Sequence, residues 1–502
     1  MSVARTGEAA TPPHADPRRW WGMAVIALAQ LMVVLDATIV NIALPSAQHD
    51  LGMSDGSRQW VITAYTLAFG GLLLLGGRVA DLVGRRRTFV VGLAGFAAAS
   101  ALGGAAATPG MLIGARALQG VFAALLAPSA LSLLTTTFTD PRERGKAFAV
   151  YSVLAGSGSA LGFVVGGLLA EYLNWRWCLY VNVPIAIGAV AGALTLLHHR
   201  PALPGARLDV PGVLLGCGGL VALVYGFSEA ESRGWMAPYV LRLFAAGAVL
   251  LMVFVWWQSR AVRPLLPLHV VRDRTRAGCF LTMMLAVVSM FGLYLFMTYY
   301  LQTVLGYSPV RAGLAFLPLT LSTLTTSTQI SARLLRHVPP RALLAPGMVL
   351  AAGGMMLLTR MTVHSSYAAD LLPALILIGL GMGLTFTPVF STATAGVAPQ
   401  DSGVTSATVN TSQQVGASIG TALLNTIATT SGSAYVAAHL NDPAQRARIV
   451  QEGTVHGYTV ALWWAAGIML LAGLIAGLMV TAGAPKPGLR AGTRTPEPMA
   501  RS

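Results

Sequence analysis

Residues 31–45 read LMVVLDATIVNIALP and set one acid, Asp36, inside an apolar run that begins at Trp21. A carboxylate at bilayer depth costs about 2.5 to 3.5 kcal/mol on insertion scales, so it faces a bundle interior or a wet cavity and carries a partner. The run exceeds the roughly 7 to 15 residues of a signal-peptide core, and no cleavage is expected. Asp36 is therefore a functional-site candidate, and the rest of the chain must supply its partner.

Of the 502 residues, 55% are hydrophobic and 10% charged, whereas about a quarter are charged in soluble domains. The chain reads as a polytopic, all-α membrane protein. Its net charge of +15 comes from arginines that punctuate apolar segments. A nucleic-acid partner would need them clustered on one soluble face. Lys146 and Lys486 are the only lysines, which with the abundant Ala and Gly points to a G+C-rich bacterial source. Cys178, Cys217 and Cys279 are widely spaced in or beside apolar runs. They suggest helix packing, with neither a disulfide framework nor a metal site.

Spans of about 20 residues, cut at charged or Pro/Gly breaks, fall at 21–45, 59–79, 88–106, 110–134, 146–170, 178–197, 210–229, 239–259, 277–300, 312–334, 342–360, 370–395, 403–429 and 458–481. Short loops on one side collect Arg78, Arg85, Arg86, Arg87, Arg142, Arg144, Lys146 and a run from Arg260 to Arg276. By the positive-inside rule these loops and both termini are cytoplasmic. The stretch from about 431 to 457 then becomes the largest external loop. The expected order is a cytoplasmic tail (1–20), six helices (21–197), a linker with two accessory helices (198–276), six more helices (277–481) and a second cytoplasmic tail (482–502).

The loop after span 2, GRVADLVGRRR at 77–87, has a degraded echo after span 10, SARLLRHVPPR at 331–341. Internal duplication of this kind is a device of secondary transporters. Gly77 and Gly84 permit close backbone approach, and Asp81 sits at a helix boundary beside Arg85 and Arg86. The loop is expected to latch a conformational change, the plainer reading being a solvated loop that only sets topology.

The 77–87 loop resembles the signature loop of the major facilitator superfamily, and LDATIVNIALP resembles the first-helix motif of its 14-span drug:proton antiporter branch. Further matching pieces are Arg116-Ala-Leu-Gln-Gly120, Trp175-Arg-Trp177 with Asn182 and Pro184, Tyr300-Leu-Gln302, and Asn410 with Gln414, Gly416 and Gly420. The resemblance implies a major facilitator fold of two six-helix bundles plus two extra central helices. It also implies that the signature loop joins the halves on the cytoplasmic side in one state and releases them in the other. Gly158, Gly162, Gly166 and Gly167 resemble the family's antiporter motif, which has proline where this chain has Phe163. Small residues at this spacing also serve simple helix packing.

Asp36 lies about 12 Å below the outer end of span 1 and Arg116 about 9 Å below that of span 4, at 1.5 Å per residue. Spans 1 and 4 both line the central cavity in the fold resembled. Asp36 and Arg116 are therefore expected in one polar network with Thr38, Asn41 and Gln119, as the proton-coupling pair. Burial raises a carboxylate's proton affinity and a nearby arginine lowers it, so a change in their separation would link protonation to access. Alternatively the pair only ties helices together.

Tyr65, Tyr294, Asn410 and Gln414 join Thr38, Asn41 and Gln119 as candidate cavity residues. Aromatics in span 9 and hydroxyls in span 10 suit an amphiphilic substrate, although interfacial packing explains aromatics as well. No G-x-x-x-x-G-K-[ST] loop appears, so an ATP-driven pump is not expected. The histidines fall mostly in or near loops, which disfavours a membrane enzyme. The expected function is proton-coupled efflux of amphiphilic drugs or antibiotics by a monomer in the bacterial cytoplasmic membrane, without cofactor or metal. Export of one self-made metabolite is the alternative, and uniport a weaker one prompted by Phe163.

Overall fold

The computed structural model describes residues 19–138, 141–197, 209–261, 264–266, 268–335, 337–397, 402–439 and 445–483. Of the expected tails, residues 1–18 and 484–502 lie outside the described residues, as do the 198–208 part of the linker and the Asp81 side chain. Helices begin with α1 (Arg19–Leu51), α2 (Asp55–Val83), α3 (Arg85–Gly104), α4 (Pro109–Thr137) and α5 (Pro141–Tyr172). There follow α6 (Trp177–Tyr180), α7 (Asn182–Leu196), α8 (Val210–Arg233), α9 (Pro238–Arg260), α10 (Leu268–Arg272) and α11 (Arg274–Tyr299). After a π turn at Tyr300–Val304 come α12 (Pro309–Ala315), α13 (Leu317–Thr325), a second π turn (Thr326–Ser331) and α14 (Ala332–Leu334). The chain continues through α15 (Arg341–Leu358), a third π turn (Tyr367–Leu371), α16 (Leu372–Thr394), α17 (Ser402–His439) and α18 (Arg446–Met479).

Each apolar segment read from the sequence is helical. Among the described residues, ten helices are long and apolar enough to cross a membrane. Large apolar side chains such as Leu214, Met252, Trp463 and Leu474 stand exposed, which in water would be a liability and in lipid is the required outer surface. Segment 312–334 is not one rod. Pro318 lacks an N–H to continue the helix, and Thr320, Ser322, Thr323 and Thr328 each bond a carbonyl one turn back, a pattern that bends helices.

The large external loop expected at 431–457 is a correction. α17 continues to His439 and α18 starts at Arg446, because small residues let the two helices extend in contact. A Cβ on Gly457 would sit 2.2 Å from the Ala428 carbonyl.

α1 to α7 pack on one another, as do α11 to α18. The two groups meet along α2 against α17 and along α5 against α12 and α13. α8 pairs with α9 and leans on both α2 and α17. The Ser228 hydroxyl accepts from Gln59 Nε2 and Trp60 Nε1 at 3.0 and 2.9 Å, and the Phe227 carbonyl accepts from Thr426. α8 thus spans the seam.

Candidate functional site

Asp36 of α1 is fully buried; α4 and α7 bring polar groups to it, and α2 and α3 bring groups to those partners. Its Oδ2 accepts from Arg116 at 2.6 Å, and its Oδ1 accepts from Gln119 Nε2 at 3.0 Å and Asn182 Nδ2 at 2.7 Å. Arg116 also donates to the Val61 carbonyl (3.0 Å) and Gln119 Oε1 (2.7 Å), and its guanidinium lies 4.4 Å from the centre of the Tyr65 ring. Ser100 Oγ, behind the amides, accepts from Gln119 at 2.6 Å and Asn182 at 3.4 Å. The charges are paired and hydrogen-bonded, which buried ions require. Arg116 and Gln119 are three apart on α4 and so share a face.

Thr38 and Asn41 do not join this network. The Thr38 hydroxyl bonds back to Val34 and Leu35, and Asn41 Nδ2 to Ala37. Positions i+2 and i+5 from Asp36 point away from its face of the helix. Thr38 instead meets α5, where a Cβ on Gly162 would fall 1.8 Å from its hydroxyl, and Gly166 abuts Ile39 in the same way. Gly158 lies against Val34, while Gly167 abuts the Pro309 carbonyl in the other helix group.

Tyr294, Asn410 and Gln414 lie apart from Asp36's partners. Tyr294 belongs to an aromatic cluster with Phe291, Phe163 and Phe316. Phe163 stacks on Phe316 at 4.5 Å and 15°. Gln414 and Asn410 are half-buried on α17, Gln414 facing Gly70 of α2. Other span-9 aromatics pack or bridge: Phe296 stacks on Tyr458, and Tyr300 donates to the Thr362 carbonyl.

The loop expected at 77–87 is a correction: 77–83 end α2 and 85–87 begin α3, and Gly84 alone makes the turn at φ 102°, a left-handed value suited to glycine. Arg86 donates to the carbonyls of Ala193 (3.1 Å) and Leu194 at the end of α7, where the helix dipole favours a cation. Its described contacts are thus within its own helix group. Arg78 reaches the Pro264 carbonyl at 3.1 Å, and Gly77 lies beside Pro128.

Contacts between the two helix groups gather toward the end where α1 finishes and α2 starts. Tyr299 donates to Gln48 Oε1 at 2.5 Å, Gln302 to the Ile42 carbonyl at 3.0 Å, and the Val310 N–H to Glu171 at 2.9 Å. The Arg58 guanidinium lies 4.0 Å from the Tyr299 ring, and Thr66 and Ser418 pair at 2.8 Å. This end is closed. The sequence reading missed that clasp, as it missed Ser100 and Asn182 in the buried network. Asn182 was singled out with Trp175-Arg-Trp177 and Pro184 as part of the family resemblance, but not as a partner of Asp36.

A family model described as Major Facilitator Superfamily matches residues 26–421. The chain is 56% identical over 475 residues to the puromycin resistance protein pur8 of Streptomyces alboniger, covering 94% of this chain and 93% of that one. It is 40% identical over 420 residues to the cephamycin export protein CmcT of Amycolatopsis lactamdurans, covering 82% and 86%. Its fold resembles the crystal structure of a bacterial homologue of the human lysosomal transporter Spinster, in an inward-facing, unoccupied conformation. That match has a TM-score of 0.64 at 16% identity and covers 93% of this chain and 97% of that one.

Proposed function

Because this chain belongs to the Major Facilitator Superfamily, we propose that it is a proton-coupled exporter of amphiphilic drugs or antibiotics, conferring resistance. The observation that carries the coupling is the buried ion pair of Asp36 and Arg116 at 2.6 Å. Asp36 is the α1 member of this network, whereas Arg116 has further partners in Val61, Gln119 and Tyr65. Protonating Asp36 removes the charge attraction while Arg116 stays held, so proton uptake loosens α1 from α4. Breaking one side of a buried pair is worth about 3 to 5 kcal/mol, ample to bias two access states.

Transport then proceeds by rocking of two six-helix bundles, 21–197 and 277–481, in a fourteen-span monomer of the bacterial cytoplasmic membrane with both termini inside. With that orientation the closed end is external. A second reading, export of one metabolite by its producer, is favoured by relatives named for puromycin resistance and cephamycin export.

The test is drug-driven proton movement in vesicles, puromycin first in the panel, for wild type, Asp36→Asn and Arg116→Ala. Wild type is expected to couple, and Asp36→Asn to bind drug without moving protons. Continued coupling in Asp36→Asn moves the proton site elsewhere, and uncoupled export by wild type ends the antiport reading.

A further inference from the structure

We infer that Asn182 is the positioning residue that follows the proton on Asp36, its side-chain amide donating to the carboxylate and turning over to accept from the acid. The inference rests on Asp36 being the proton carrier. It starts from an inventory of donors and acceptors. An ionised carboxylate only accepts, whereas a carboxylic acid also has a proton to donate. Around Asp36 the described partners all donate: Arg116 to Oδ2, and Gln119 and Asn182 to Oδ1. Arg116 has no acceptor atom. A proton placed on Asp36 therefore needs an acceptor that the charged state does not present.

The two amides differ in their freedom to provide it. Gln119 Oε1 is engaged by Arg116 at 2.7 Å, so turning that amide over would break a bond to a cation. Asn182 Oδ1 is buried and accepts no hydrogen bond among the described residues. An asparagine χ2 is a broad, roughly two-fold torsion, so Asn182 exchanges Nδ2 for Oδ1 without disturbing Arg116. An unsatisfied buried acceptor keeps its desolvation cost uncompensated. Turning over moves that cost from Oδ1 to Nδ2 and gives up the long Nδ2 bond to Ser100, while it supplies the protonated Asp36 with an acceptor.

In the step, an O–H bond forms on Asp36 Oδ1 with a proton from the aqueous phase, and that hydrogen is donated to Asn182 Oδ1. Release to the other aqueous side reverses both changes, leaving no net reaction within the protein. The titratable and charged groups facing Asp36 are Arg116 on α4, Tyr65 on α2 and Cys178 on α6. α3 and α7 bring it the neutral Ser100 and Asn182.

Infrared difference spectra between acidic and alkaline buffer test this on the full chain in lipid, with asparagine side-chain carbonyls carrying a heavy-carbon label. The expected result is an acid-form carboxyl band lost in Asp36→Gln, with a label-sensitive amide change lost in Asp36→Gln and in Asn182→Leu. Asn182→Gln removes the labelled group but keeps an amide, and assigns the band should Asn182→Leu not fold. Proton-coupled export by folded Asn182→Leu should fall about tenfold, as for one lost hydrogen bond to a charged group. A carboxyl band from Asp36 without an Asn182-dependent amide change overturns the role of Asn182 and leaves Asp36 as carrier. Absence of any Asp36-dependent carboxyl band overturns both.

Discussion

Phe163→Ala should open the closed end of the bundle. Phe163 is fully buried, and its stacking partner Phe316, at the corner between α12 and α13, and its neighbour Tyr294 on α11 belong to the other helix group. Separating the groups breaks both aromatic pairs. Burying a phenylalanine is worth about 1.5 to 3 kcal/mol, and an aromatic pair adds about 0.5 to 1.5. With half of the burial and both pairs lost on opening, Phe163 favours the closed end by about 3 kcal/mol, a ratio of roughly 150. The assay is the spin–spin distance between labels at Leu173 and His364, both exposed near this end in opposite groups, in protein freed of its native cysteines. The variant should convert a minor long-distance population into a substantial one. A distribution matching wild type, in a variant that melts like wild type, would refute the reasoning.

Gly162→Ala should lower the melting temperature in detergent, because its Cβ would meet the Thr38 hydroxyl at 1.8 Å. Overpacking of this kind costs about 1 to 3 kcal/mol, and an unchanged melting curve would show that α1 and α5 separate freely. Ser228→Ala should cost about 1 to 3 kcal/mol by stranding the Gln59 and Trp60 donors. Faster hydrogen exchange confined to α8 and α9 would mark the loss of that tie, and exchange identical to wild type would show that the pair is held by apolar packing alone.

How far the site was legible depended on which question each residue posed. Asp36 and Arg116 were readable because a charge in an apolar run is anomalous in one dimension, and helical rise converts position into depth. Gln119 followed, one turn from Arg116. Thr38 and Asn41 misled because nearness in sequence is not nearness on a helix face. Ser100 escaped, and Asn182 was noticed but not placed at Asp36, because a lone serine or asparagine in a span carries no periodic signal of what it faces. Tyr294 was readable as an aromatic but not as a neighbour of Phe163, which lies in a different helix group.

The sequence by itself determined the membrane class, the helical segments and the presence of a buried acid with a counter-charge at similar depth. Those properties follow from local hydropathy, length and the cost of burying charge. Only the tertiary structure decided that α17 and α18 replace an external loop, that α8 spans the seam, that Phe163 clasps the two groups, and that Asn182 with its free Oδ1 stands against Asp36. Such contacts depend on how each helix is rotated and where it crosses its neighbours. Those angles are set by packing small residues against large ones across the whole bundle, and no single stretch of chain encodes them.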